Sequence, residues 1–384
     1  MQTSVTAPPY LLSDELEAAA RDIIGPLADE VDRAGRFPRE GVRALGEAGL
    51  LGLLSSRDSG GAGAGLREAA QVIERLAGVC GSTAMVLLMH YSAVTVLDRH
   101  APEDVRREIA AGRHLSTLAF SERGSRSHFW APVGTATPEG PDTAHLDAKK
   151  SWVTSAGEAD SYVWSSKPLQ ADGAMSLWLV PGGSAGLEVR GEYDGFGLRG
   201  NASSPMSAKA VSVPRAALLG TDGEGLATAL EVVLPCFLVL SAAFSLGVTE
   251  TLLGLTATHL RETRLEHLDQ TLAQQPVARN QFAGLRLRGD ALRAMLEGTL
   301  TAMQDGCPEA TVRVLQIKAL AAETAAEVAD GAMRLCGGAA FRRDTGVERR
   351  FRDALAARVM APTTEALHDF CGRAQLGLPL FEEA

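Results

Sequence analysis

The segment LDAKKSWVTSAG (146–157) contains two side chains that could serve a redox cofactor, Trp152 and Thr154. An indole ring on a strand offers a flat apolar wall with an N–H donor, which a flat redox ring system needs. The hydroxyls of Thr154 and Ser121 could donate hydrogen bonds that stabilise such a ring when it is electron-rich. This pattern is compatible with a flavin site. A tryptophan of a barrel core beside turn hydroxyls is the alternative, and both interpretations stay open on these residues alone.

The other candidate side chains are isolated. His90 lies on an apolar helical stretch, where it is either a packed core residue or a group that faces a substrate or flavin. The eight His and five Cys show no metal-ligand spacing, so no metal site is expected. Since the cysteines are odd in number and scattered, we predict reduced thiols in a cytoplasmic protein.

Composition excludes several classes of protein. The chain has 384 residues, of which 46% are hydrophobic and 22% charged, and this length fits two or three domains. The net charge is −10 and no run of Lys or Arg occurs, so nucleic acid is not an expected partner. Residues 1–9 lack the pattern of a secretory signal. The longest uncharged run, 232–249, is short for a membrane span and is predicted to be a buried core helix.

Helical periodicity dominates both ends of the chain. Two helices, the second beginning at Pro38, are predicted before two longer ones at 66–79 and 82–100. The glycine-rich stretch 59–65 is predicted to join two helices, because neither a preceding strand nor a GK[ST] sequence accompanies it. Beyond residue 220 the predicted helices are 225–261, 277–303, 309–335, 348–359 and 365–375. Their length and their Ala/Leu faces predict a bundle of long helices.

Between residues 115 and 219 the periodicity alternates. The predicted strands are 144–154, 162–166, 176–180 and 206–213. Together they predict an antiparallel barrel or sandwich. The expected fold class is therefore α+β, mostly α, with domains at 1–114, 115–220 and 221–384.

This domain order and four motifs resemble the acyl-CoA dehydrogenase superfamily of flavoproteins. LAFSERGSRS (118–127) is similar to the family's Thr-Glu-Pro-x-Ala-Gly-Ser-Asp segment, and 146–157 is similar to its Gly-x-Lys-x-Trp-Ile-Thr-Asn segment. GFGLRGN (195–201) and RDALAARVMAPTTE (352–365) extend the resemblance over about the whole chain. The resemblance implies an N-terminal helical domain, a middle β-barrel domain and a C-terminal helical bundle that bind FAD rather than FMN.

The resemblance also implies which residues bind FAD. These are Phe120, Ser121, Ser127, Trp152, Thr154, Arg264, Arg334, Gly337, Gly338, Thr363 and Glu365. Within this set, Arg264 and Arg334 would meet the phosphates, while Gly337 and Gly338 would let the backbone approach the tail closely. In the family this tail crosses a subunit interface. A solvated helix face is the alternative for both arginines.

A catalytic glutamate is the residue that the resemblance implies but the sequence lacks. In the family, this carboxylate removes the α-proton of an acyl thioester while the β-hydrogen leaves as hydride. The two positions that supply it are Ala361 and Cys236 here, and neither is a carboxylate. Because Cys236 lies in an apolar helix, we expect a raised pKa and a poor base. No residue is therefore assigned as the base.

Three functions remain open at this stage. The first is a FAD-dependent oxidoreductase for an acyl-CoA or acyl-carrier-protein thioester in a specialised pathway, with a separate electron acceptor. The second is a monooxygenase that uses O2 and flavin reduced by a flavin reductase, with His90 and Ser121 as candidate residues. The third is a non-catalytic flavin-binding scaffold, against which the retained Trp152 wall argues. In each case the resemblance implies a homo-oligomer, either a tetramer or a dimer.

Overall fold

Helices occupy both ends of the chain and strands occupy its middle. The computed structural model of the protein describes residues 14–125 and 128–380. The N-terminal helices are α1 (Asp14–Ala18), α2 (Gly25–Ala34), α3 (Arg39–Glu47), α4 (Leu66–Val79), α5 (Gly81–His100) and α6 (Glu103–Ala110). One π-helical segment, Ala19–Ile24, joins α1 to α2. The predicted start of the second helix at Pro38 is confirmed to within one residue, because Pro38 is the residue just before α3.

The middle of the chain forms two sheets. Its strands are β1 (Ser116–Ala119), β2 (Thr135–Glu139), β3 (Thr143–Val153), β4 (Ser161–Ser166), β5 (Ser176–Pro181), β6 (Leu187–Val189) and β7 (Ser204–Pro214). One sheet has the order β1-β4-β5 and the other β2-β3-β7-β6. An isolated bridge between Glu122 and Lys150 connects them. The prediction of a wholly antiparallel arrangement is wrong for β1 and β4, which pair in parallel. The β2–β3 hairpin of the other sheet lies between them in sequence and supplies the crossover that a parallel pair needs.

Long helices form the rest of the chain. They are α7 (Gly225–Thr228), α8 (Leu234–Glu262), α9 (Pro276–Gln304), α10 (Ala310–Cys336), α11 (Val347–Ala354), α12 (Ala356–Val359) and α13 (Thr364–Gln375). A small hairpin of β8 (Arg264–Leu265) and β9 (Gln270–Thr271) lies between α8 and α9. The predicted helix 225–261 is interrupted by a π-helical segment, Ala229–Val233, after which Pro235 occupies the first turn of α8. Proline has no N–H to donate to the preceding turn, and the π-helical segment lies where the regular i→i−4 ladder is interrupted.

The helical stretch Gly225–Glu262 is, among the described residues, long and apolar enough to cross a membrane. However, 89% of its most apolar window is buried inside the protein. A core helix of this composition passes the same test, so the stretch is weak evidence for a membrane span. The burial agrees with the predicted core helix.

Arg352 and Asp353 connect all three parts of the chain. The Arg352 guanidinium donates to both carboxylate oxygens of Asp32 on α2, at 2.8 and 2.6 Å. The adjacent Asp353 carboxylate accepts the backbone N–H of Leu198, in the middle of the chain, at 2.7 Å. Gly197 lies so close that an added Cβ would be 2.5 Å from the Arg352 carbonyl oxygen. This charged pair of the family signature therefore joins the domains to one another.

Asp353→Asn should remove one pH-dependent contribution to stability. Burial raises the pKa of the Asp353 carboxyl to about 6, although the Leu198 N–H opposes this shift. An unfolded Asp titrates near pH ~3.9, so the folded chain binds more protons between these values. The stability that this group contributes therefore falls as the pH rises from about 4 to about 6.

An asparagine keeps the acceptor for Leu198 but does not titrate. Urea denaturation of both proteins at pH 4.5 and pH 7 measures the difference. We expect the free energy of unfolding of the variant, relative to that of the wild type, to rise between pH 4.5 and pH 7, because only the wild type loses the contribution of Asp353 over this range. An identical pH profile for the two proteins would contradict the assigned pKa.

Candidate functional site

A buried ion pair holds the Ser121 loop against strand β3. The Lys150 ammonium donates to a Glu122 carboxylate oxygen at 2.6 Å and to both the carbonyl and the hydroxyl of Ser165, at 2.7 and 2.8 Å. The second oxygen of Glu122 accepts the backbone N–H groups of Val133 and Gly134, at 2.6 and 2.8 Å. Lys150 is 1% exposed and Glu122 is 4% exposed. Every donor of the ammonium is thus satisfied, as burial of a charge requires.

The same contact places Ser121 beside the residues that precede Trp152. The Ser121 carbonyl accepts the Ser151 N–H at 2.9 Å. Burial lowers the pKa of Lys150 to about 8, although the Glu122 carboxylate opposes this shift. Phe120, just before Ser121, packs its ring into the core of the middle domain, so only its backbone remains for a cofactor. Ser127 lies outside the described residues.

Trp152 points away from the protein. Its side chain is 69% exposed, which contradicts the alternative that it is a barrel-core residue. The pairing of β3 with β7 is irregular between Lys150 and Val153, and Trp152 adopts φ 56° there. A bulky residue in the left-handed region is uncommon, and such strain tends to occur at functional sites. The bulge in β3 therefore turns the indole outward, where it can form the wall of a binding site.

Thr154 lies just beyond this bulge with its side chain buried. Its hydroxyl shares a hydrogen bond of 3.0 Å with the Ser203 hydroxyl. The next hydroxyl, that of Ser155, is also buried and has no hydrogen-bond partner in the described part of the chain. A buried donor without a partner is costly. Two hydroxyls therefore lie within three residues of Trp152, and one of them has hydrogen-bonding capacity left for a ligand.

His90 is a packed core residue with both ring nitrogens engaged. Nε2 lies 3.0 Å from the Leu51 carbonyl oxygen, to which it donates, and Nδ1 accepts the Ser116 N–H at 3.0 Å. These two bonds define the neutral tautomer that carries its proton on Nε2. Burial lowers the pKa of His90 to about 4. The ring therefore has no nitrogen available for a flavin or substrate, and the core interpretation of His90 is the one that the geometry favours.

Neither position of the family's base carries a usable carboxylate. Cys236 is 4% exposed, and burial raises the pKa of its thiol to about 12, which agrees with the expected poor base. Ala361 is half-buried in the turn between α12 and α13. Two residues further on, Thr363 caps α13 by accepting the Ala366 N–H at 3.4 Å. Glu365 is exposed in the first turn of that helix.

The remaining predicted cofactor residues lie at one end of the bundle. Gly337 and Gly338 follow α10, and a Cβ added to either would meet no heavy atom within 4 Å. Gly337 has φ 55°, but Gly338 has no positive φ that would require glycine. Arg334 is exposed, with Asp330 at 3.7 Å. Arg264 forms an ion pair with Asp269 in the β8–β9 hairpin.

Three family models match nearly the whole sequence. The models for the N-terminal, middle and C-terminal domains of acyl-CoA dehydrogenase match residues 10–112, 117–211 and 223–376. The chain belongs to the acyl-CoA dehydrogenase family. Membership makes it an acyl-CoA dehydrogenase-like flavoprotein oxidoreductase, as the motifs implied.

Relatives in this family match over almost their full length. Cyclohex-1-ene-1-carbonyl-CoA dehydrogenase of Geobacter metallireducens is 26% identical, and the alignment covers 95% of this chain and 97% of the relative. The short-chain specific acyl-CoA dehydrogenase of Clostridium acetobutylicum is 24% identical with the same coverage. The solved structure of PigA with FAD and proline has a TM-score of 0.87 at 21% identity, covering 95% of this chain and 97% of that one.

Sequence reasoning missed the buried ion pair that supports this acyl-CoA dehydrogenase site. In the sequence, Glu122 is one residue of the 118–127 motif and Lys150 one residue of the 146–157 motif, with nothing local to pair them. A signal was present, because the alternation along β3 places Lys150 on the same face as the buried Leu146 and Ala144. A lysine at a core-facing strand position requires a partner.

Lys150→Met should destabilise this acyl-CoA dehydrogenase-like chain strongly. Removal of one member of a buried ion pair leaves the other charge uncompensated, which costs about 3–5 kcal/mol. Lys149→Met is the matched control, since Lys149 is the exposed neighbour on the same strand. We expect that control to change the free energy of unfolding by less than about 0.5 kcal/mol. Denaturant unfolding measures the free energy of unfolding of both variants. Equal losses in the two variants would contradict a stabilising role of the Lys150–Glu122 pair.

Proposed function

We propose that this chain is a FAD-dependent oxidoreductase that acts on an acyl thioester, carried by CoA or a carrier protein, without the family's usual glutamate. The observation that carries the proposal is the strained, exposed Trp152 beside the Ser121 loop and the hydroxyls of Thr154 and Ser155. These groups fit a flavin, which needs an apolar wall and nearby donors. When bound, the flavin would accept the electrons that leave the substrate.

The separation of the predicted FAD contacts supports a shared site in an oligomer. Lys318 of α10 bonds to the turn that precedes Thr363, whereas Gly337 follows the end of the same helix. Eighteen residues separate Lys318 from Cys336, or about 27 Å along a helix that rises about 1.5 Å per residue. The Cys336 thiol lies 4.0 Å from the Thr256 hydroxyl of α8, so Arg264, just beyond α8, belongs to the same far end.

The loop that follows Ser121 lies against the helix that Thr363 caps. The ring of Trp130 in this loop is 5.5 Å from the ring of Phe370 on α13. This contact supports a site in which the middle domain and the Thr363 turn of one chain both take part. Gly337, Gly338 and Arg264 lie at the other end of the bundle, about 27 Å further along α10. A second copy of the chain would supply them, which supports a dimer or tetramer with shared FAD sites.

The missing carboxylate separates this chain from ordinary β-oxidation. Ala361 offers a methyl group where a base is needed, and the Cys236 thiol is protonated at any physiological pH. Dehydrogenation then requires an unusually acidic substrate or a base elsewhere, and a separate electron acceptor would reoxidise the flavin. A monooxygenase that receives electrons from a flavin reductase is the second candidate. The lack of a carboxylate at both base positions favours it, because oxygenation does not need an α-proton base. A cytoplasmic location remains a prediction.

Anaerobic mixing discriminates these functions. The FAD-loaded protein is mixed without O2 with saturated acyl-CoAs of increasing length and with the corresponding acyl-pantetheine thioesters, which mimic a carrier protein. Loss of the flavin absorbance supports dehydrogenation. No loss, together with incorporation of isotopically labelled O2 into product by the chemically reduced protein, supports the monooxygenase. A chain that binds FAD but shows neither reaction would be a non-catalytic scaffold, and a chain that binds no FAD would contradict the proposed function.

Trp152→Leu should weaken FAD binding without destabilising the fold. The ring is exposed in the free chain, so its loss removes a cofactor contact and little packing. Loss of an aromatic wall contact of about 1–1.5 kcal/mol corresponds to roughly tenfold weaker affinity. Phe196→Leu is the control, since Phe196 is also exposed but lies beside Arg352. Titration of the apoprotein with FAD measures the affinity. Equal affinities in the two variants would contradict a contact between the Trp152 indole and FAD.

Ala361→Glu should create or raise dehydrogenation of acyl-CoAs. A positioned general base contributes about 100-fold or more to such a rate. Ala361→Gln is the matched control, because it has the same size but cannot accept the proton as a carboxylate does. The measurement is the rate of anaerobic flavin reduction. An unchanged rate in Ala361→Glu would mean that the pocket is shaped for other chemistry.

A further inference from the structure

Lys318 is a buried cation that bonds to carbonyl oxygens instead of a carboxylate. Its side chain comes from α10 and is 1% exposed. The ammonium donates to the carbonyl oxygens of Ala357, Met360 and Pro362, at 2.8, 3.1 and 2.8 Å. An ammonium has three N–H donors, and all three are used here. Within the described residues, no carboxylate forms an ion pair with it.

These three carbonyl groups belong to one turn of the backbone. Ala357 lies in α12, Met360 follows that helix, and Pro362 precedes the start of α13. The last carbonyls of a helix have no partner within it, and a cation there is favourable. Lys318 thus supplies the hydrogen bonds that a turn buried under α10 could not obtain from water.

The bonded carbonyls lie on both sides of Ala361. Met360 precedes it and Pro362 follows it, so the peptide units around Ala361 are attached to one ammonium group. Thr363, the cap of α13, comes next in the chain. The position of this turn is therefore set by a side chain of α10 that lies 39 to 44 residues away in sequence.

We infer that Lys318 is a positioning residue for residues 357–363, which are called the cofactor turn below. It holds Ala361 and Thr363 of this turn where the flavin and the thioester meet. This inference rests on the proposed function, but the three hydrogen bonds from Lys318 are present in the chain without a cofactor. Lys318 acts through the backbone and contacts neither cofactor nor substrate. Burial lowers the pKa of its ammonium to about 7, and Glu365 on α13 opposes this shift.

The test compares Lys318→Met with Arg350→Met. Methionine has nearly the length of lysine but no donor, so the substitution removes all three bonds and little volume. Arg350 is the matched control, because it is a half-buried cation on α11 that likewise bonds two backbone carbonyls, those of Gly346 and Gly78, at 3.0 and 2.8 Å. It is not attached to the cofactor turn. Both variants are expected to lower the melting temperature.

Two measurements then separate positioning from general stability. Hydrogen–deuterium exchange of residues 357–366 in FAD-free protein should accelerate in Lys318→Met and stay unchanged in Arg350→Met. FAD affinity should fall roughly tenfold in Lys318→Met, because binding must then also order the loosened turn, and should remain close to wild type in the control. If Lys318→Met does not fold, Lys318→Gln, which keeps two donors, is measured in the same way.

The outcomes are distinct. Equal exchange of residues 357–366 in the two variants would show that Lys318 does not hold the turn, whatever the FAD affinities are. Accelerated exchange with unchanged FAD affinity would overturn the positioning role and leave Lys318 as a structural residue. If the wild-type chain binds no FAD, the proposed function fails, and the positioning role fails with it. The exchange contrast would still show whether Lys318 holds the turn.

Discussion

The ion pair between Lys150 and Glu122 is the contact on which the Trp152 edge of the middle domain depends. A buried charge is tolerated only when its hydrogen-bonding capacity is used. Here the Lys150 ammonium donates to Glu122 and Ser165, and the Glu122 carboxylate also accepts two backbone N–H groups. The loop that carries Ser121 cannot leave strand β3 without exposing both charges to an apolar core. The strained conformation of Trp152 begins two residues beyond this anchor, where the pairing of β3 becomes irregular.

The family signature near the end of the chain divides into two structural roles. Its first residues, Arg352 and Asp353, are committed to Asp32 and Leu198, so they hold the domains together. Its last residues form the turn that Lys318 supports. Substitution at Ala361 therefore changes chemistry without disturbing the contacts that keep the fold. This separation explains how the chain can retain the family architecture with alanine at position 361.

The sequence allows the long helices and most strands to be predicted, because their periodicity is local. The parallel pairing of β1 and β4 could not be predicted, since it depends on a crossover through the second sheet. The role of His90 was ambiguous for a similar reason: its partners, Leu51 and Ser116, are 39 and 26 residues away. The motifs located Trp152 and Thr154 by type. They did not show that the indole points outward, which follows from a bulge in β3.

The length of α10 has a consequence for how this chain can vary. The helix carries Lys318 in its first half and leads to Gly337 at its end, so its rise fixes the spacing between two sets of predicted cofactor residues. Insertion or deletion of a single residue would shift one set by about 1.5 Å and rotate it by about 100° relative to the other. Surface loops can absorb such changes, but this helix cannot. Length variation among related chains should therefore be rare between residues 318 and 337 and concentrated in the connections between helices.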